Sequence, residues 1–151
     1  MAGLNTLNYQ KKKIIIRNTA NQRLPLSRDT IENIAAKLKI SLRGARSLTL
    51  GISFLSDKQI RQLNKKYLMR NRPTDVLSFD YTGQEAADIA ISLDTAKRNA
   101  KIYRTSYKDE LILYLIHGFL HLAGYDDTSP WAKRRMFSKQ ETLFYEMTRT
   151  Q

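Results

Sequence analysis

The chain has 151 residues, enough for one ordinary domain with a core of its own. It carries 26 Lys and Arg against 14 Asp and Glu, and the formal net charge of +12 favours a polyanionic partner or serves solubility alone. Because cysteine is absent, a disulfide framework and thiolate metal ligands are excluded.

The first part of the chain predicts two strands and two helices. Ile14 to Ile16 is a predicted strand, after a polar and loose start over residues 1–10. Asp29 is the predicted cap of a helix whose apolar residues recur at i, i+3, i+4 and i+7. Residues 47–55 alternate as in a strand. Ser56 and Gln59 then form a capping box for a second helix. Its predicted inward residues are Ile60, Leu63 and Tyr67.

The second part predicts two more strands and three helices. The strands are Asp75 to Phe79 and Asp88 to Ser92, and a basic helix starts at Asp94 or Thr95 and runs through Tyr103. Ser106 opens a helix through about Ala123 that is apolar nearly all round, which predicts a buried central helix. Ser129 and Pro130 begin the last helix. The order β-α-β-α-β-β-α-α-α predicts an α+β fold, and the chain shows no linker, so we expect a single domain over residues 1–151.

The central helix carries both histidines of the chain. His117 and His121 are at i and i+4, so their imidazoles converge on one point beyond the helix surface. Gly124 is suited to reverse the chain after the helix, and Asp127 then brings a third ligand over the same point. Two His and one carboxylate are typical of a catalytic zinc site with an open position, although another divalent metal also fits. Asp126 is the alternative third ligand, or else a residue that caps the turn or orients a histidine.

Gly118 occupies the position at which zinc proteases of the H-E-x-x-H type carry their glutamate base. A glycine cannot act as a base, so a zinc peptidase is the weaker hypothesis. We expect instead that Gly118 leaves room for substrate or strand backbone beside the metal. Close packing against another chain segment is the alternative explanation.

Residues 117–126, H-G-F-L-H-L-A-G-Y-D, are similar to the H-G-x-L-H-L-x-G-Y-D-H signature of the YbeY family of metal-dependent endoribonucleases, which act in rRNA maturation. Arg72 to Phe79 resembles that family's P-T-D-V-L-S-F motif, and Asp88 to Ser92 its G-D-I-x-I-S strand. The resemblance spans about Leu55 to Glu146. It implies a mixed four-stranded sheet against about five helices, with Thr74, Asp75 and Ser78 along the cleft.

The chain departs from that family at two positions of chemical interest. Asp127 replaces the family's third zinc-binding histidine, and aspartate remains an acceptable ligand. Leu68 replaces an arginine thought to matter for the RNA chemistry, and Arg70 or Arg72 is the candidate to take its role. Asp126 is the candidate for handling the proton.

Three basic clusters accompany these motifs, and we predict that they bind RNA phosphates. They are Lys65 and Lys66 before the P-T-D segment; Lys97, Arg98, Lys101 and Arg104 on one helix; and Lys133, Arg134 and Arg135 after the metal turn. An ordinary solvated helix face is the alternative for each cluster taken separately.

The leading hypothesis is a zinc-dependent hydrolase of RNA phosphodiesters that acts on rRNA or a ribosomal subunit. The charged start lacks a signal-peptide core and Leu111 to Leu122 is too short to span a bilayer, so we expect a soluble cytoplasmic protein without a membrane partner. A non-catalytic ribosome-assembly factor with a structural metal is the main alternative.

Overall fold

The computed structural model describes residues 14–41, 49–81 and 86–149. The predicted loose start, and Ser47 and Leu48 of the predicted second strand, lie outside these residues. Within them the strands are β1 (Ile14–Asn18), β2 (Thr49–Leu55), β3 (Val76–Tyr81) and β4 (Ala86–Ser92). The helices are α1 (Arg28–Ser41), α2 (Asp57–Leu68), α3 (Leu93–Tyr103), α4 (Tyr107–Leu122) and α5 (Pro130–Arg149). The predicted order of elements is confirmed.

The four described strands form one mixed sheet in the order β1-β2-β4-β3. β1 pairs with β2 and β2 with β4 in parallel, whereas β3 is antiparallel to β4. In this register Ile52 of β2 lies between Ile16 of β1 and Ile89 of β4. The predicted α+β fold with a mixed four-stranded sheet is therefore confirmed.

The two faces of the sheet bury different cores, because successive side chains of a strand point to opposite faces. The larger core takes Ile52 and Ile89 from the sheet together with apolar residues of α1, α3, α4 and α5. The smaller core lies under α2 and consists of Leu55, Ile60, Leu77 and Ala90, with Leu63 and Phe79 packed against it.

Helix α4 is the buried central helix that the sequence predicted. It contacts β3, β4, α1, α3 and α5. Ser106 caps its first turn by accepting a hydrogen bond from the amide of Asp109. Among the described residues, no helix is long and apolar enough to cross a membrane.

Two predicted helix caps were wrong. Helix α1 begins two residues earlier than predicted, and Ser27 caps it: its hydroxyl accepts from the Thr30 amide at 3.1 Å. Asp29 lies in the first turn, where its charge suits the helix dipole. The cap of α3 is Ser92, whose hydroxyl accepts from the Thr95 amide.

The predicted inward face of α2 was wrong at Tyr67, which is 56% exposed. Asn64 is buried instead, with 2% exposure. Its side-chain amide donates to the carbonyl of Arg72 at 2.8 Å, so the buried polar group is satisfied. The bond ties the end of α2 to the segment that enters β3.

Candidate functional site

His117 and His121 face each other one turn apart on α4, and both are half-buried. Their Nε2 atoms are 3.0 Å apart, with ring centroids at 4.7 Å and ring planes at 74°. Two imidazole ligands of a tetrahedral zinc, each about 2.0–2.1 Å from the metal, have nitrogens about 3.3 Å apart. The 3.0 Å separation is that of a hydrogen bond between the two rings, and it is also close to the spacing of two ligands to one cation.

Gln140 of α5 determines which nitrogen of His117 carries the proton. Its Oε1 lies 3.0 Å from Nδ1 of His117. An amide oxygen only accepts hydrogen bonds, so Nδ1 must be the donor. In the neutral ring this leaves a lone pair on Nε2, which faces His121. The arrangement is the usual one for a metal-ligating histidine, whose other nitrogen donates to an acceptor behind it.

The electrostatics of His121 favour the neutral ring. Burial lowers its pKa below the ordinary value of 6.5, and the neighbouring His117 lowers it further. The carboxylates of Asp127 and Asp75 and the backbone of Tyr125 act in the opposite direction without cancelling the effect. His121 is therefore neutral at pH 7, the form that binds metal ions.

The turn after α4 brings two aspartates to the same end of the helix. Gly124 has φ of 92°, in the left-handed region, and the amide of Tyr125 donates back to the carbonyl of Leu120 at 3.0 Å. Asp126 caps this turn: its Oδ1 accepts from the amide of Thr128 at 3.1 Å and from its hydroxyl at 2.7 Å. These bonds lower the pKa of Asp126.

Asp127 is exposed on the wall of the cleft that includes His117. Its charge is close enough to His121 to act on the pKa of that ring. Across the described ranges, however, no three His, Asp or Glu side chains are gathered closely enough to hold a metal ion. The structure thus brings together the two predicted histidines, and Asp127 as third ligand stays a prediction.

A cleft of about 450 Å³ lies between the end of α4 and one face of α5. Its wall includes both charged and apolar side chains: His117, Asp127, Pro130, Lys133, Arg134, Met136, Phe137 and Gln140. A second cavity of about 420 Å³ lies over the smaller core, beside Tyr67, Phe79 and Asp88, and does not include the histidines. The α5 cleft, as we name the first, is therefore the cavity associated with the histidine pair.

The expectation that Gly118 leaves room for substrate or strand backbone beside the metal was wrong, because strand side chains fill that space. A Cβ at this position would lie 2.8 Å from Cγ2 of Ile89 and 3.2 Å from Cγ2 of Val76. Gly118 is buried against side chains of the sheet, so the alternative of close packing is correct. The glycine lets α4 approach the sheet closely, while its neighbour His117 points towards α5.

The P-T-D-V-L-S-F segment supports α4 from the sheet side. The hydroxyl of Ser78 donates to the carbonyl of Gly118 at 2.9 Å. Asp75 accepts hydrogen bonds from the Val76 amide and the Thr74 hydroxyl, and its carbonyl accepts from the Ser92 amide. The Ser78 bond fixes β3 to α4 next to the histidines, and the Asp75 contacts join the start of β3 to the end of β4. None of the three motif residues Thr74, Asp75 and Ser78 lines the α5 cleft.

The arginine candidates lie between α2 and β3. The amide of Arg70 and the carbonyl of Arg72 both bond to Asn64, and both side chains are exposed. Leu68, at the family's arginine position, is 48% exposed. Neither arginine lines the α5 cleft, so their catalytic role stays a prediction.

The predicted RNA-binding residues fall into three groups. Lys133 and Arg134 line the α5 cleft. Lys65, Lys66, Lys101 and Arg104 are exposed elsewhere on the surface, with Lys66 over the ring of Tyr67. The remaining three make intramolecular contacts. Lys97 donates to Gln22, and Arg98 forms an ion pair with Asp57. Arg135 lies over the rings of Tyr125 and Trp131.

Two features of the site were not found from the sequence. Gln140 and Phe137 are ordinary residues of an amphipathic helix, and no spacing links them to the histidines. Only the packing of α5 against α4 brings them to the cleft. Trp131 and Phe137 flank the basic residues 133–135 in the sequence, a signal that could have drawn attention to Phe137 but not to Gln140.

Comparison with known proteins shows what the chain is similar to. The family model described as endoribonuclease YbeY matches residues 7–148, a wider range than the motifs alone indicated. The chain is 32% identical to the endoribonuclease YbeY of Chlorobium luteolum, over 89% of this chain and 97% of that protein. It is 31% identical to that of Aquifex aeolicus, over 91% and 93% of the two chains.

A solved structure shares the fold. The solution structure of TM1509 from Thermotoga maritima superposes with a TM-score of 0.63 at 26% identity and covers 89% of this chain and 88% of that one. The α+β fold of this chain is thus shared with a known class of proteins. The chain belongs to the YbeY family of endoribonucleases.

Proposed function

We propose that this protein is a metal-dependent endoribonuclease of a single domain, which cuts single-stranded RNA during rRNA processing and ribosome maturation in the cytoplasm. Membership of an endoribonuclease family supports nuclease activity and a role in RNA processing. The observation that carries the metal dependence is the 3.0 Å separation of the two Nε2 atoms, with Nδ1 of His117 held by Gln140.

The donor set fits a zinc ion, and another divalent metal such as Mn²⁺ or Co²⁺ is compatible with it. Two imidazoles face each other, and an exposed carboxylate lies on the same cleft wall as His117. Asp127 is the better candidate for the third ligand, because Asp126 is already bonded to Thr128. Two His and one carboxylate leave a coordination position open, as catalytic zinc sites do.

The residues of the chain then have separate tasks. A divalent ion held there supplies Lewis-acid activation of water and of the phosphoryl group. Gln140 keeps the Nδ1 proton of His117 in place, so that Nε2 remains a ligand. Lys133 and Arg134 bind phosphates along the cleft wall and stabilise negative charge at phosphorus. We assign proton handling to Asp126 and a second stabilising cation to Arg70 or Arg72.

One observation favours a second candidate function. The exposed Leu68 supplies no cation where the family has an arginine, which is what a non-catalytic ribosome-assembly factor with a structural metal would tolerate. A zinc peptidase receives less support, because Gly118, which is buried against the sheet, stands where such enzymes carry their glutamate base.

The test compares wild type, His117→Ala and the matched control Glu141→Gln, which changes an exposed residue next to Gln140 on α5. We expect His117→Ala to weaken zinc binding in calorimetry, and to reduce cleavage of a single-stranded RNA, each by more than about 100-fold. Glu141→Gln should match the wild type, and a chelator should stop cleavage by both.

Equal cleavage by all three proteins, with and without chelator, would sink the proposal. Co-sedimentation with ribosomal subunits without any cleavage, together with unfolding on metal removal, would point to the assembly factor instead. Circular dichroism on each variant separates a lost metal site from a lost fold.

A further inference from the structure

Phe137 is a large apolar side chain exposed on the wall of the α5 cleft. It is 57% exposed and lines the cleft together with His117 and Asp127. Its neighbours in the sequence show that the helix has other residues for packing: Met136 and Leu143 belong to the larger core, whereas Phe137 does not. The ring therefore contributes little to the fold and is available to a ligand.

The position of Phe137 on the helix places cations beside the ring. Lys133 and Arg134 precede it by four and three residues, and Gln140 follows by three, so all four share one face of α5. Within the described ranges, neither Lys133 nor Arg134 forms an ion pair. The face thus offers an open ring and two free positive charges next to the histidine pair.

Three other aromatic rings, two of them near the cleft, already hold a cation. Tyr125 and Trp131 hold the guanidinium of Arg135 at 4.7 and 5.7 Å. Tyr145 has Arg149 over its ring at 5.2 Å. Phe137 has neither a ring–ring nor a cation–ring contact with any described residue. It is the exposed ring that the cleft leaves free for stacking.

We infer that Phe137 stacks on a nucleobase of single-stranded RNA in the α5 cleft, while Lys133 and Arg134 contact the adjoining phosphates. This inference rests on the proposed function. A ring that stacks on a base recognises unpaired nucleotides of any sequence, because every base presents a π-face. In a duplex the faces of the bases are covered by their neighbours. Phe137 therefore favours single strands over duplexes at this site.

The experiment titrates a fluorescent single-stranded oligoribonucleotide with the full-length protein, in zinc-containing and in chelator-containing buffer, and follows anisotropy. Loss of one base-stacking contact weakens binding by about 5- to 150-fold, which is the effect expected for Phe137→Ala and Phe137→Leu. Phe137→Trp should restore the affinity. Tyr145→Ala is the matched control, an exposed ring on the same helix outside the cleft, and should bind as the wild type does.

Two further ligands separate stacking from other contacts. On an abasic strand, and on an RNA duplex, Phe137→Ala and wild type should bind equally. If Phe137→Leu binds like the wild type, or if Phe137→Ala binds like Tyr145→Ala, the stacking role is overturned. If the wild type itself neither binds nor cleaves RNA, the proposed function has failed instead, so the two failures are distinguishable.

Discussion

Helices α3 and α5 both carry a cluster of basic residues that the sequence predicted to bind RNA, but the structure uses the two clusters differently. On α3, Lys97 donates to Gln22 at 2.7 Å and lies over the Tyr107 ring, and Arg98 pairs with Asp57 at 3.0 Å. On α5, Lys133 and Arg134 line the cleft beside His117 without an ion pair among the described residues.

The difference shows that the presence of basic residues does not by itself indicate a ligand surface. Asp57 accepts hydrogen bonds from Ser92, Thr95 and Arg98, so Arg98 helps to fasten α3 to α2. Lys97 is held instead by Gln22, which precedes α1. On α5, Lys133 and Arg134 face the cleft, whereas Arg135 lies over the rings of Tyr125 and Trp131. A basic side chain that already pairs with another residue of the protein contributes less to RNA binding than one that faces an open cleft.

The largest effect should come from Gln140, which makes the α5 face part of the histidine site. Gln140→Leu removes the acceptor for Nδ1 of His117 at similar size, so we expect zinc affinity to fall by about 10- to 100-fold. Gln140→Glu keeps an acceptor and should retain the affinity. Calorimetry with zinc measures both. Unchanged affinity in Gln140→Leu would show that α5 contributes only the walls of the cleft.

The second prediction compares α5 with α3, using double variants that each remove two positive charges. Lys133→Gln with Arg134→Gln should weaken binding of single-stranded RNA by about 25-fold at about 0.1 M salt, because two phosphate contacts of about 0.7 salt-slope units each are lost. Lys97→Gln with Arg98→Gln should cost much less. Anisotropy over a salt series gives affinity and slope together. Equal losses in both double variants would contradict the distinction between the helices.

The smallest effect concerns the α3 contacts and should appear in stability rather than in RNA binding. Burial opposes the charge of Asp57, but the hydrogen bonds from Ser92, Thr95 and Arg98 outweigh it and lower the pKa below its ordinary value of 3.8. A lowered folded-state pKa adds stability above pH 3.8, which is lost as pH falls through the folded-state value. Asp57→Asn should therefore reduce the free energy of unfolding by about 1 kcal/mol at pH 7.

Urea denaturation at several pH values checks this prediction. The difference between Asp57→Asn and wild type should shrink as the pH falls below 3.8, because the wild-type carboxyl then also loses its charge. RNA affinity at pH 7 should not change. A loss of RNA affinity without a loss of stability would mean that this region takes part in binding after all.

Most of the fold could be predicted from the sequence because periodicity and capping are local. The capping box of Ser56 and Gln59, the cap at Ser106 and the apolar run of α4 each fix an element within a few residues. The errors at Asp29 and Tyr67 came from choices between neighbouring candidates. There the outcome depended on Ser27 and on the buried Asn64, whose bond to Arg72 is tertiary.

The site was predictable only in part. The spacing of His117 and His121 on one helix required them to face each other, and the Nε2 distance of 3.0 Å agrees with that prediction. The prediction for Gly118 failed because the spacing of the histidines does not indicate which side of the helix packs on Ile89 and Val76. Gln140 and Phe137 could not be assigned at all before the path of α5 was known.

The sequence by itself thus determined the order of elements, the buried central helix, the histidine pair and the excess of positive charge, since each depends on local periodicity or composition. The tertiary structure decided which cations are free, which acceptor holds His117 and which aromatic ring remains open in the cleft. These properties depend on contacts between helices distant in the chain. Such contacts arise from packing α5 against α4 and α3 against α2, which no local pattern encodes.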